Sequence, residues 1–157
     1  MREYDRLSAV AYARQWALSR NPAYYDFENL GGDSTNFASQ CIFAGAGVMN
    51  YTPVYGLYYI SPSERTASWS GVEYLYNFLT ANRGAGPFGK VVPYYEARPG
   101  DIVQLGDRNG RFYHSPVITS VHPRILVAAH SYDALDRPLV SYDFDRVRFI
   151  HIEGVRS

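Results

Sequence analysis

Cysteine is nearly missing from this chain: Cys41 is the one thiol in 157 residues, so no intramolecular disulfide can form and the cross-linked frame of small secreted domains is excluded. Lysine is nearly missing too, Lys90 being the only one among 15 basic residues. Neither sign of charge is in excess, because 15 acidic residues leave a formal net charge of +0. Bulk electrostatics therefore favours neither nucleic acid nor an acidic membrane surface, and no nucleic-acid partner is expected. No apolar stretch approaches the roughly 20 residues that cross a bilayer, so no membrane insertion is expected. The opening Met1-Arg2-Glu3-Tyr4-Asp5 lacks the apolar run of a signal peptide, as an excised domain also would. Two catalytic signatures are absent as well. His114, His122, His130 and His151 fall at spacings of 8, 8 and 21, with no His-Glu-x-x-His pattern; a zinc hydrolase built on His114, His130 and either His122 or His151 is a weak alternative, and no metal or other cofactor is expected. No Gly-x-Ser-x-Gly elbow surrounds Ser34, which weighs against a serine esterase.

What the chain does have is apolar mass and tyrosine. A hydrophobic share of 46% over 157 residues is enough for one core, and a single domain over 1–157 is expected. The 15 tyrosines, with so many arginines, suit either a groove for a peptide or glycan or a core rim with its hydroxyls in water.

The first half reads as helical. Leu7, Val10, Ala11, Ala17 and Leu18 recur at helical spacing from Asp5 to about Arg20, where Asn21-Pro22 stops the helix. Gly31-Gly32 then leads into a short buried helix with Ser34 in its first turn, ended by Gly45 and Gly47. Residues 50–68 show no sustained period and predict a long surface loop. Ser70 and Glu73 in capping-box spacing open a third helix, with Val72, Leu75, Tyr76 and Leu79 on one face, ending near Asn82.

The second half reads as strands. Residues 102–105, 112–121, 125–129, 139–142 and 147–152 are β-prone runs, separated by turns at 107–110, 122–124 and 135–138. Helices first and a meander second predict an α+β fold, with N-terminal helices on a curved antiparallel sheet.

Chemistry gathers at three places. Ser34 at a helix N-terminus meets free amides and the positive end of the helix dipole, which would stabilise a nucleophile's anion and a tetrahedral oxyanion. The plain alternative is that Asp33 or Ser34 caps the helix. His114 on a strand and His130 at the end of the next supply a base and an orienting group, although each could instead be structural. Cys41 shares an apolar face with Phe37 and Ala38, as a small buried hydrophobe would.

The string Gly31-Gly32-Asp33-Ser34-Thr35-Asn36-Phe37-Ala38-Ser39-Gln40-Cys41 resembles the signature of the putative amidase domain family, which usually has cysteine directly after Gly-Gly-Asp. Tyr12-Ala13-Arg14-Gln15-Trp16, Ser68-Trp69, Pro99-Gly100-Asp101-Ile102 and His130-Ser131-Tyr132-Asp133 extend the likeness over nearly the whole chain. Pro-Gly-Asp-Ile is shared more widely, among papain-like and CHAP-like cell-wall hydrolases. The resemblance implies a papain-like fold, a cysteine nucleophile at position 34, a base at His114 and an orienting residue at His130, with Asp133 as second choice. It implies peptide or peptidoglycan-like substrates and an extracytoplasmic setting; the residues themselves leave the compartment open. Ser34 and Leu57, where relatives often have tryptophan, are the departures. A hydroxyl is not held as an anion the way a thiol is, so the chain is expected to be inactive as written. The intact surroundings favour a deliberate cysteine-to-serine change over a natural variant. Tyr25, Tyr55, Tyr58 and Tyr59 are the expected groove walls. A non-catalytic peptide- or glycan-binding module on the same scaffold is the competing reading.

Overall fold

Residues 1–157 are described by a computed structural model. Asp5 caps the first helix, α1 (Arg6–Trp16), by accepting from the Ser8 amide. The helix ends four residues short of the expected Arg20, because the Trp16 carbonyl is taken by the Ser19 amide at 3.3 Å and by Nε2 of His130 at 2.8 Å. Its buried face is also smaller than expected: Ala9, Val10, Ala13 and Ala17 face inward, while Leu7, Ala11 and Leu18 are exposed. Small residues let α1 lie close against α2 (Ser34–Ala46), which is buried almost all round, eleven of its thirteen residues being inside.

α2 ends as the glycines predict. Gly47 takes the left-handed conformation, φ 67°, and its amide closes on Phe43, a geometry that suits a residue without Cβ. Gly45, two residues earlier, matters for space: a methyl there would lie 2.5 Å from Cε1 of Tyr4 and 2.8 Å from the Asp5 carbonyl. Gly45→Ala is therefore expected to destabilise the domain by about 1–3 kcal/mol, the usual effect of overpacking. Chemical denaturation checks it, and an unchanged midpoint would contradict the packing.

The segment expected as a surface loop is partly structured. Leu57 and Tyr59 are buried, and β1 (Tyr59–Ser61) pairs with β2 (Glu64–Arg65). Ser70 does not cap the third helix. It closes a one-turn α3 (Ala67–Ser70) and accepts from Arg65, while Gly71 precedes α4 (Val72–Ala81) with no side-chain cap and Glu73 pairs with Arg148. Trp69 is fully buried beneath α2, donating to Oδ1 of Asn36 at 2.9 Å and stacking on Tyr24.

One antiparallel sheet forms the other layer. Its strands are β3 (Gly86–Val92), β4 (Ile102–Gly106), β5 (Phe112–His114), β6 (Val117–Ser120), β7 (Leu126–Ala129), β8 (Ala134–Pro138) and β9 (Arg146–Arg156). The order is β3-β9-β4-β6-β7-β8, with β5 hairpinned onto β4. β3 falls outside the strands read from sequence. The 112–121 run breaks at Ser115-Pro116, the 135–138 turn lies within β8, and Leu139–Ser141 is a short helical turn rather than a strand. Side chains alternate across the sheet. Ile102, Val117, Ala128, Ile150 and Ile152 join the helices in the main core, while Val103, Leu105, Ile118, Val127 and Phe149 fill a second, smaller one on the opposite face. The fold is α+β, with N-terminal helices against a curved C-terminal sheet.

Candidate active site

Ser34 opens α2 and is 8% exposed. The N-terminus of α2 meets the β5–β6 junction, which brings Oγ of Ser34 to 2.8 Å from Nδ1 of His114 and 2.9 Å from the Ser115 amide. The amide can only donate, so Ser34 accepts from it and turns its own hydrogen toward Nδ1. That requires an unprotonated Nδ1. Burial first, and the positive charge of Arg137 second, depress His114 from 6.5 to about 4, so the ring is neutral at neutral pH and can accept a proton.

A histidine whose folded pKa lies below its unfolded value favours folding most above the unfolded value, and that contribution is lost as pH falls toward the folded one. His114 should thus weaken the fold progressively between pH 6.5 and about 4. In an NMR titration its ring resonances are expected to stay neutral through pH 6 and move near pH 4; a midpoint at 6.5 would contradict this environment.

A chain of neutral groups fixes the junction. Gln104 is fully buried and donates to the Val72 carbonyl at 3.0 Å and to Oγ of Ser115 at 3.1 Å, while its carbonyl oxygen accepts from Arg148. Oγ of Ser115 lies 3.1 Å from Oγ1 of Thr35. The residue after His114 is thereby tied to the residue after Ser34.

His130 is not brought to His114. Its ring is buried, stacked on Phe37 with centroids 4.1 Å apart, with Nδ1 2.6 Å from Oδ2 of Asp33 and Nε2 on the Trp16 carbonyl. Asp33 makes no capping bond to α2. Oδ1 of Asp33 accepts from the Phe27 amide and from Asn36, and these bonds with His130 hold its carboxyl below the usual range despite burial. Asp133 forms an ion pair with Arg20 at 2.8 Å. Cys41 is completely buried in the core, and burial pushes its thiol well above its ordinary value. The four histidines form no metal-ligand set; no group of three His, Cys, Asp or Glu residues could hold an ion.

A cleft of about 480 Å³ opens above Ser34 and His114, and its aromatic walls are Tyr113, Tyr132 and Tyr142. The tyrosines expected as walls lie elsewhere. Tyr59 is in the core, Tyr25 packs edge-on against Phe27, Tyr58 pairs with Tyr51, and Tyr55 lines a separate groove beside α4. The wall residues come from three separate segments, and the one sequence signal for any of them is adjacency, Tyr113 beside His114 and Tyr132 two residues past His130.

Residues 3–152 match the family described as "Putative amidase domain". A relative, "Uncharacterized protein YhbB" of Bacillus subtilis (strain 168), is 32% identical over 136 residues, 84% of this chain and 43% of that protein. The chain thus corresponds to less than half of the relative's length. No solved structure matches.

Proposed function

Because the chain belongs to the putative amidase domain family, we propose that it is a papain-like, cysteine-type hydrolase scaffold for peptide amides, with Ser34 at the nucleophile position and little or no turnover as written. The observation that carries this reading is the contact between Oγ of Ser34 and the neutral Nδ1 of His114 at 2.8 Å. With cysteine at position 34, the thiol proton moves to Nδ1 and sulfur attacks the carbonyl. The C–N bond then breaks as His114 passes that proton to the leaving nitrogen. Water cleaves the thioester in a second cycle and returns a proton to position 34. The amide of residue 34, first on the α2 dipole, is assigned to the oxyanion.

The same geometry argues for low activity in serine. His114 is a weak base, about 4, and no carboxylate orients it. A thiol, near 8.5, releases its proton to such a base far more readily than an aliphatic hydroxyl does. A cysteine-to-serine change in an otherwise intact site is the account we favour for Ser34. The contacts of His130 and Asp33 at the entry to α2 support a positioning role for both toward residue 34 rather than toward His114. Family likeness extends the substrate class to peptidoglycan stem peptides and the setting to the outside of the cytoplasm. The test is hydrolysis of peptide amides by Ser34→Cys, expected to appear there and to vanish when His114→Ala is added.

A further inference from the structure

The cleft above Ser34 is not evenly charged. Arg137, on β8, lies among its lining residues. Its guanidinium sits over the Tyr142 ring, with Cζ 3.7 Å from the centroid, and its Nε and Nη2 donate to Oγ and the carbonyl of Ser141. Nη1 has no partner in the protein, and no carboxylate pairs with the group; Asp143, which also lines the cleft, is exposed and unpaired with it. Stacking and two hydrogen bonds hold the fork in place before any ligand arrives, so little rotamer freedom remains to be lost on binding. A guanidinium fixed and unmatched beside a cleft is suited to a carboxylate, which it can engage with charge-assisted hydrogen bonds.

The neighbouring ring points the same way. Burial raises the pKa of the Tyr142 hydroxyl and the adjacent Arg137 cation offsets part of that rise, so the ring stays a neutral aromatic face under the guanidinium. The Tyr142 ring is near both groups: its centroid is 5.6 Å from that of the neutral His114 ring and 3.7 Å from Cζ of Arg137.

We infer that Arg137, seated on the Tyr142 ring, forms a carboxylate subsite, and that the cleft takes peptide chains whose final residue bears a free carboxylate. This rests on the hydrolase reading for its direction. His114 protonates the leaving nitrogen, so the leaving group lies on the His114 side of the scissile bond, where Arg137 stands. The product released is then an amino acid or short peptide with its carboxylate intact, and the preference is for cleavage near a free C-terminus rather than inside a long chain.

Binding and turnover separate the two claims. Isothermal titration of the chain as it stands, with Ser34, should show N-acetyl-alanyl-alanine binding about 10- to 100-fold more tightly than its C-terminal carboxamide, the range expected for one charge-assisted contact. L and D forms are both titrated. Arg137→Gln should erase the difference, and Arg137→Lys should restore part of it, with unchanged melting curves showing that each variant is folded. Equal binding of acid and amide, or a preference that survives in Arg137→Gln, would overturn the subsite. In Ser34→Cys the same pair should differ in kcat/KM in the same direction. An inactive Ser34→Cys that still binds the acid selectively would remove the hydrolase reading and leave the subsite standing.

Discussion

Replacing Ser34 by cysteine should raise amidase turnover, with kcat/KM on a reporter peptide amide rising by at least about 100-fold. The lower bound reflects how much general-base catalysis contributes when the nucleophile's acidity suits the base. The new thiol replaces a hydroxyl that sits 2.8 Å from a neutral imidazole at a helix start, whereas Cys41 is fully buried with its pKa pushed up. Limited iodoacetamide labelling of Ser34→Cys, mapped by mass spectrometry, should therefore modify position 34 first. His114→Ala in that background should remove essentially all turnover. His130→Ala should leave a measurable remnant and lower stability, because His130 supports Asp33 and α1 rather than the base. If Cys41 labels as fast as position 34, or if His114→Ala keeps full activity, the assignment of roles fails.

Asp101→Ala should be the most damaging single change away from the cleft. The Asp101 carboxylate is completely buried and accepts four hydrogen bonds: from Arg6 at 2.7 Å, the Ile152 amide at 2.9 Å, the Arg98 amide at 2.8 Å and His151 at 2.8 Å. It thereby ties α1 and the turn before β4 to β9. Removing it strands the amides of Arg98 and Ile152 and leaves the Arg6 guanidinium without its counter-charge, a loss of about 3–5 kcal/mol by analogy with other broken buried pairs. For a domain of this size that corresponds to a fall in Tm of roughly 10 °C or more. A melting curve within two or three degrees of the parent, roughly 1 kcal/mol or less, would show that Asp101 is not the hub described.

This explains why Pro99-Gly100-Asp101-Ile102 accompanies the site motif without lining the cleft. Gly100 takes φ +91° where Tyr4 packs close, and Asp101 turns inward at the start of β4. In sequence it reads as a turn before a strand, and the partners that give it meaning lie 95 and 51 residues away.

Position 34 was legible because its cues are local. Two glycines, a polar cluster and an apolar run at helical spacing all fall within eleven residues, and α2 begins at the expected serine. His114 was legible for the same reason, as a polar residue inside a β-prone run. β3 was not, since Gly86, Pro87 and Gly89 are poor strand formers and the pairing is imposed by β9. A Cβ at Gly89 would lie 2.2 Å from the His151 carbonyl, so that approach requires the glycine. β8 hid behind a turn-like Asp-Arg-Pro. The partner of His130 was hidden as well, because Asp33 reads as a helix cap in sequence and only the fold, which brings positions 97 apart together, turns its carboxylate to the imidazole.

The burial of α2 on nearly every side has a consequence for how the site can be lost. A nucleophile on a surface loop can be misplaced by a local fluctuation while the rest of a domain stays folded. Position 34 begins the helix that fills the main core, so its backbone belongs to the last cooperative unit to open. Damage to packing away from the cleft and from the Asp33–His130 contact should therefore act on the site mainly by lowering the folded population, as a fall in the amount of competent protein at unchanged affinity per folded molecule.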